Sequence, residues 1–157
     1  MSLRHPPIEH SATQTDFGGW EMPVEFDSIR TEHEAVRESV GIFDVSHMGE
    51  IAVSGPDATE LMQRLVTADI AALDPGDAQY AAITDGGGII LDDTIVYRLP
   101  ASEAPRYLFV PNAGHDDEAF DRWVDHRDEW GLDADVENET DAWAMVAVQG
   151  PDALDAV

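Results

Sequence analysis

The chain has no cysteine and no lysine, and only eight arginines stand against 33 aspartates and glutamates, for a formal net charge of −25. Lack of cysteine removes disulfides, thiolate nucleophiles and cysteine-based zinc or iron–sulfur sites, and it permits a reducing compartment. Lack of clustered lysine or arginine removes any phosphate-binding surface, so no nucleic-acid partner is expected. No apolar run approaches the ~20 residues of a membrane span, and the polar N-terminus with Pro6-Pro7 has no apolar signal segment. A cytoplasmic protein without a membrane partner is the expectation. The sequence also lacks a Gly-x-Gly-x-x-Gly fingerprint, a Walker loop, His-Glu-x-x-His and Gly-x-Ser-x-Gly. The triple glycine 86–88 is not followed by Lys-Ser or Lys-Thr and reads as a flexible hairpin turn.

What is present suffices for a core. Of 157 residues 43% are hydrophobic, which separates the chain from a disordered acidic tail. The acids are spread over the whole length, and their self-repulsion disfavours a compact state in dilute buffer. The screening length falls from about 10 Å at ~0.1 M salt to about 3 Å at 1 M. The charge pattern therefore predicts a halophilic protein.

Periodicity predicts an α+β fold of antiparallel sheets with flanking helices. Residues 1–15 read as an irregular lead-in and Phe17–Pro23 as a turn-rich aromatic segment. A helix follows, with Thr31 and Glu34 at capping-box spacing, Ile29, His33, Val36 and Val40 on one face, and Gly41 as its stop. Ile42–Val45 and Glu50–Ser54 are short strands, the latter with Ile51 and Val53 on one face. Gly55-Pro56-Asp57-Ala58 opens a helix with an apolar stripe of Ala58, Leu61, Met62 and Leu65. Strands at about 79–84 and 89–99 form a hairpin, and Arg106–Val110 is another strand. His115–Trp130 is an amphipathic helix with Phe120, Trp123 and Val124 inward, ended by Gly131. Leu132–Val136 and Ala142–Val148 are further strands. Val53-Ser54-Gly55-Pro56-Asp57-Ala58 is echoed by Val148-Gln149-Gly150-Pro151-Asp152-Ala153, which predicts two related α+β units. Their expected limits are 50–140 for one, and 1–49 plus 141–157 for the other, which is truncated at the C-terminus.

Asp92-Asp93 lies inside the apolar strand Ile89–Tyr97. Alternation sends the two carboxylates to opposite faces, and a carboxylate in such surroundings is costly unless it is bonded or paired. One reading has one of them binding backbone N–H groups at a bulge and the other solvated. The other reading has a carboxylate set to hold or exchange a proton with a bound amine. Asp44, His47 and Glu50 resemble metal ligands in type, but period-two parity separates His47 from the other two. A turn held by Ser46 and His47 side-chain hydrogen bonds is the simpler account. Asn112 reads either as a contact for polar ligand edges or as a cap for the following helix.

Taken together, Asp16–Val24 (DFGGWEMPV), Glu32–Arg37 (EHEAVR), Gly41–Glu50 (GIFDVSHMGE), Gly87–Tyr97 (GGIILDDTIVY) and Asn112-Ala113 resemble, in order and spacing, the aminomethyltransferase (T protein) family of the glycine cleavage system. The resemblance runs over about residues 16–155, roughly two-fifths of a family member. It implies a folate-binding fold and transfer of a one-carbon unit from the aminomethyl-lipoyl arm of the H protein to tetrahydrofolate, with release of ammonia. It also implies the lipoylated H protein as partner, with its lipoyl group and tetrahydrofolate as the reacting groups. By residue, it implies that Asp93, the second of the Asp-Asp pair, orients and polarises the reacting folate nitrogens. Asn112 matches a pterin-contacting position, and Met48 and Tyr80 match positions lining the folate cavity. The family's later tyrosine, glutamate and arginine have no counterparts here. A related folate-dependent demethylase and a non-catalytic folate-binding module are the alternative readings.

Overall fold

The computed structural model describes residues 12–17, 20–100 and 104–157. In chain order the strands and helices are β1 (Thr13–Phe17), β2 (Trp20–Glu25), α1 (Ile29–Glu38), β3 (Gly41–Asp44), β4 (Ile51–Ser54), α2 (Ala58–Leu65), β5 (Ala78–Thr84), β6 (Ile90–Leu99), β7 (Arg106–Val110), α3 (Asp116–Trp130), β8 (Asp135–Asn138), β9 (Val146–Gln149) and α4 (Ala153–Ala156). A short 3₁₀ turn spans Ile70–Ala72. Every strand pairing is antiparallel. The chain divides into two compact units, Met48–Trp143 and Met1–His47 with Ala144–Val157.

In the unit Met48–Trp143 a five-stranded sheet runs in the order β5-β6-β7-β4-β8. Helices α2 and α3 pack against β4, and α3 also against β8. The stripe expected on α2 is what the helix buries: Ala58, Leu61, Met62 and Leu65 are all at most 4% exposed. Beneath it lie Ile51 and Val53 of β4, both fully buried, which keeps the expected parity. Trp123 of α3 stacks on Phe109 at 4.3 Å and donates its indole N–H to Met62 Sδ at 3.1 Å. Burying one aromatic side chain of this size stabilises by about 2–3 kcal/mol at most. Gly131 ends α3 in the left-handed conformation, φ +64°. Leu132 N–H then bonds back to Arg127 O at 3.0 Å, so β8 starts at Asp135 rather than Leu132. Ala142 N–H donates to Glu139 O at 2.8 Å, closing a turn where a strand was expected; β9 accordingly starts only at Val146.

In the other unit β1 pairs with β2 and β3 with β9. The aromatic segment thus contributes to two paired antiparallel strands, with Phe17 opposite Trp20; residues 18 and 19 of that segment lie outside the described residues. Residues 1–11 of the expected lead-in lie outside the described residues. Helix α1 starts earlier than the Thr31–Glu34 spacing suggested. Ser28 is its cap and accepts from Thr31 N–H at 3.2 Å, while Glu32 Oε1 accepts from Phe26 and Asp27 N–H at 2.7 Å each. It ends at Glu38, capped by Ser39, and Gly41 opens β3 instead of stopping the helix. None of its residues is buried, and Ile29 is 70% exposed.

The internal echo is structural. At the end of β4, Gly55 has φ +119°, and at the end of β9, Gly150 has φ +127°. Ala58 N–H donates to Gly55 O at 3.2 Å and Ala153 N–H to Gly150 O at 3.2 Å. Asp57 N–H donates to Asp133 O at 3.0 Å, just past α3. Asp152 N–H donates to Ser39 O at 3.1 Å, just past α1. In each unit a helix leads into a strand, that strand pairs with a second, and the second ends in Gly-Pro-Asp-Ala and a new helix.

Candidate functional site

Strand β6 outruns its neighbour. Its pairing with β7 begins only at Ile95 opposite Val110, so Asp92 and Asp93 project past the end of β7, where the chain leaves the sheet through Pro111 and Asn112. Opposite β5 the register slips between Ile83 and Thr84, leaving Leu91 as an extra residue. Such a bulge re-aims the side chains beside it.

The parity expectation for the carboxylates holds up to the side chain that joins them. Asp92 lies toward the helical face, in a cleft lined by Ile83, Leu91, Ala119, His115 and Arg122. Asp93 lies on the opposite face, where Tyr80 Oη donates to its Oδ2 at 2.8 Å. Asn112, at the open edge beyond β7, reaches both. Its Nδ2 donates to Asp92 Oδ1 and to Asp93 Oδ1, each at 2.6 Å, and its backbone N–H donates to Asp92 Oδ2 at 3.0 Å. Asn112 therefore does not cap α3; the cap position is His115, which makes no side-chain capping bond. The reading in which one carboxylate binds backbone N–H groups at a bulge is met by Asp92, which also accepts from Asp93 N–H at 2.9 Å. Asp93 is held by side chains rather than simply solvated.

The electrostatics of the pair are unequal. Burial pushes the Asp92 carboxyl up, but the Asn112 side chain, the backbone N–H groups of Asn112 and Asp93, and His115 outweigh it and hold it below the ordinary carboxylate value. The phenol of Tyr80 is pushed up, first by its hydrogen bond to Asp93. Each Asp93 oxygen accepts one short side-chain bond and keeps a lone pair for a further donor.

Along β5 and β6 the face of the sheet that carries Asp93 is apolar and open, while at β4 and the end of β7 it is covered. Tyr80 is 65% exposed, Ile95 42% and Tyr97 37%. Glu50 sits on this same face, because Ile51 opposes Phe109 and Gly49 N–H donates to Pro111 O at 3.0 Å, which sets Glu50 opposite Val110. Glu50 is 5% exposed, and burial, then the nearby Glu139 charge, push its carboxyl up. Met48 flanks Gly49 at the same edge as Asn112, and among the described residues no hydrogen bond joins it to Asp93, Tyr80 or Asn112.

The second sequence cluster is arranged differently from its expectation. Asp44 Oδ1 accepts from Ser46 N–H at 2.9 Å, and Ser46 Oγ bonds both Met145 O and Met145 N–H, at 3.2 and 3.0 Å. Ser46 thus ties β3 to the start of β9. His47 Nδ1 is buried without a hydrogen-bond partner, so it does not help hold the turn. Among the described residues no three histidine, aspartate or glutamate side chains group as a metal-binding set, and no helix is long and apolar enough to cross a membrane.

Sequence reasoning missed His115. Its Nδ1 lies 3.1 Å from Asp92 Oδ2. The signal was local: Gly114, with φ +77°, folds the chain so that His115 N–H donates to Asn112 O at 3.0 Å, which turns the ring back toward Asp92.

Comparison with known proteins agrees with this architecture. The chain is 64% identical to a probable aminomethyltransferase of Halobacterium salinarum, over 100% of this chain and 45% of the relative. It is 46% identical to an aminomethyltransferase of Bacillus subtilis, over 92% of this chain and 38% of that one. The crystal structure of glycine cleavage system aminomethyltransferase T from Bartonella henselae matches with a TM-score of 0.77 at 32% identity, covering 92% of this chain and 38% of that chain. The chain thus spans less than half the length of the relatives it matches. The family described as the GCVT N-terminal domain matches residues 5–157, and with the antiparallel α+β units in place, the chain belongs to that family.

Proposed function

We propose that the chain contributes the Asp93 half of a tetrahydrofolate site in a cytoplasmic aminomethyltransferase of glycine cleavage. The observation that carries this reading is the constellation on the open sheet face: Asp93 bridged to Tyr80 at 2.8 Å and to Asn112 at 2.6 Å, beside the exposed Ile95 and Tyr97. A flat heteroaromatic ligand needs such an arrangement, apolar side chains for its faces and a few fixed polar groups for its edges.

The reaction moves a CH₂ unit from the lipoyl sulfur of the H protein to nitrogen of tetrahydrofolate. The C–N bond to the departing amine breaks, ammonia leaves, the C–S bond breaks with a proton returning to sulfur, and two new C–N bonds form. Positive charge develops on carbon and nitrogen along the way, and the folate nitrogens must shed protons. A carboxylate fixed beside them orients them and stabilises that charge. Asp93 suits the role because two donors hold it in place while a lone pair on each oxygen stays available. Asn112 fixes Asp93 and offers its carbonyl oxygen to a pterin edge; Met48 and Tyr80 line the cavity. The chain covers 45% of the Halobacterium relative, so the full reaction is assigned to family members of that length and the Asp93 site to these residues.

The test is tetrahydrofolate binding in about 2 M KCl, where the screening length is down to a few ångström, followed by tryptophan fluorescence for the chain and for Asp93→Asn. Saturable binding weakened about tenfold or more by the substitution, the scale of one charge-assisted hydrogen bond, is the expected result. Equal binding by both proteins removes Asp93 from the site.

A further inference from the structure

The side chain of Asn112 is held between two carboxylates at 2.6 Å each, and one of them, Asp92, has only 11% of its side chain exposed. Asp92 touches Asn112 with both oxygens, Oδ1 on Nδ2 and Oδ2 on the backbone N–H. Oδ2 also meets the His115 ring at 3.1 Å. His115 is half exposed and lies in the cleft on the helical face, away from Tyr80. A chain of direct contacts therefore crosses the sheet edge: His115, Asp92, Asn112, Asp93, Tyr80.

We propose that His115 is a positioning residue for this site: by holding the Asp92 carboxylate against Asn112, it keeps the Asn112 amide fixed across to Asp93. The geometry stands independently of the ligand; its consequence for binding rests on the folate reading above. Without the ring, Asp92 keeps its bonds to the backbone N–H groups of Asn112 and Asp93 but loses its outer partner on Oδ2, which loosens the fork that orients the Asn112 amide. Glu118 and Arg122 of α3 and Asp92 of β6 line the same cleft, and Asp116 and Asp117 follow His115 in the first turn of α3.

The chain contains only two asparagines, Asn112 and Asn138, so selective ¹⁵N-asparagine labelling yields two side-chain amides to follow by NMR in molar KCl. In the unsubstituted chain without ligand, the two Asn112 amide protons are expected to resonate away from those of a free amide, because the amide donates to both carboxylates. In His115→Ala the resonances shift toward those of a free amide. In His115→Asn, whose amide can still donate to Asp92, the positions return. Tetrahydrofolate binding is expected to weaken about threefold to tenfold in His115→Ala, consistent with the loss of one supporting hydrogen bond to a charged group, and to recover in His115→Asn. Asn112 resonances identical in the unsubstituted and His115→Ala chains would overturn the proposal. Altered resonances with unaltered folate binding would support the positioning role and count against the folate reading instead.

Discussion

Gly55 and Gly150 stand at equivalent strand-to-helix joints, at φ +119° and +127°, each pressed against the backbone that follows a helix. A Cβ on Gly55 would come within 2.9 Å of Asp133 O, and one on Gly150 would run into Ser39 O and Val36 O. Gly76, at φ +99°, has nothing within 4 Å of such an atom. Strained backbone costs on the order of 1–3 kcal/mol, and overpacking adds a similar amount. Gly55→Ala and Gly150→Ala are expected to lower stability by about 3 kcal/mol each, and Gly76→Ala by only about 1. Urea denaturation in molar KCl reads the three values; a Gly76→Ala loss as large as the others would refute the close-approach argument.

Asn112 neutralises nothing, yet it keeps two adjacent carboxylates in hydrogen bonds. Hydrogen bonds to charged groups contribute about 1.5–3 kcal/mol. Asn112→Ala is expected to destabilise the fold by about 2–3 kcal/mol. Asn112→Asp should cost more, because it sets a third acid where the 2.6 Å contacts now lie. Part of that extra cost should return on acidification. An Asn112→Asp chain as stable as the parent at neutral pH is the outcome this account forbids.

Asp92 and Glu50 should give pH dependences of opposite sign. The ordinary value for Asp92 is 3.8 and the fold lowers it, so the folded chain binds that proton less readily than the unfolded one. Its stabilisation is present above 3.8 and is lost as pH falls through the lowered folded value. Glu50 starts from 4.5 and is raised, so the folded chain binds that proton more readily. Its contribution is present below 4.5 and is lost as pH rises through the raised folded value. Asp92→Asn should therefore destabilise at neutral pH, with the deficit shrinking in acid. Glu50→Gln should stabilise at neutral pH, with the gain vanishing in acid. Denaturation midpoints of both variants across that range check the signs.

The charge imbalance makes its own demand. Arg30, Arg64, Arg106 and Arg127 are paired with Glu34, Glu60, Glu139 and Asp128, and exposed pairs of this kind contribute at most about 1 kcal/mol each. With 33 acids in the chain, most of the repulsion has no partner to offset it. The denaturation midpoint is expected to rise steeply between about 0.1 and 2 M KCl as the screening length contracts. A midpoint and far-ultraviolet circular dichroism unaffected by salt would remove the case for salt adaptation.

Much of this architecture was readable from local pattern. The buried stripe Ala58-Leu61-Met62-Leu65, the inward Trp123 and the glycine hairpin at 86–88 follow from side-chain periodicity and turn chemistry, which depend on neighbours a few residues away. The Gly-Pro-Asp-Ala echo was also visible, because the left-handed glycine and the helix start it serves are adjacent in sequence. Helix α1 was misplaced by its cap. Ser28 accepts from Thr31 N–H, and Glu32 accepts from Phe26 and Asp27 N–H ahead of the helix, so the cap falls three residues before the one that the Thr31–Glu34 spacing suggests.

The site itself needed the tertiary structure. Asp92-Asp93 could be singled out in the sequence because two acids in an apolar strand are costly without partners. Alternation, however, could only assign them to opposite faces. That one asparagine joins them follows from β7 stopping at Val110 while β6 runs on, a mismatch in strand length created by pairing between segments far apart in the chain. The turn at Gly114 that carries His115 is local, but that Asp92 stands beside it follows from the same run-on of β6. Sequence by itself determined which residues are apolar, which turn and which carry charge, since those are properties of each residue and its near neighbours. Which carboxylate meets which donor was decided by register across the sheet, a long-range contact that no local pattern encodes.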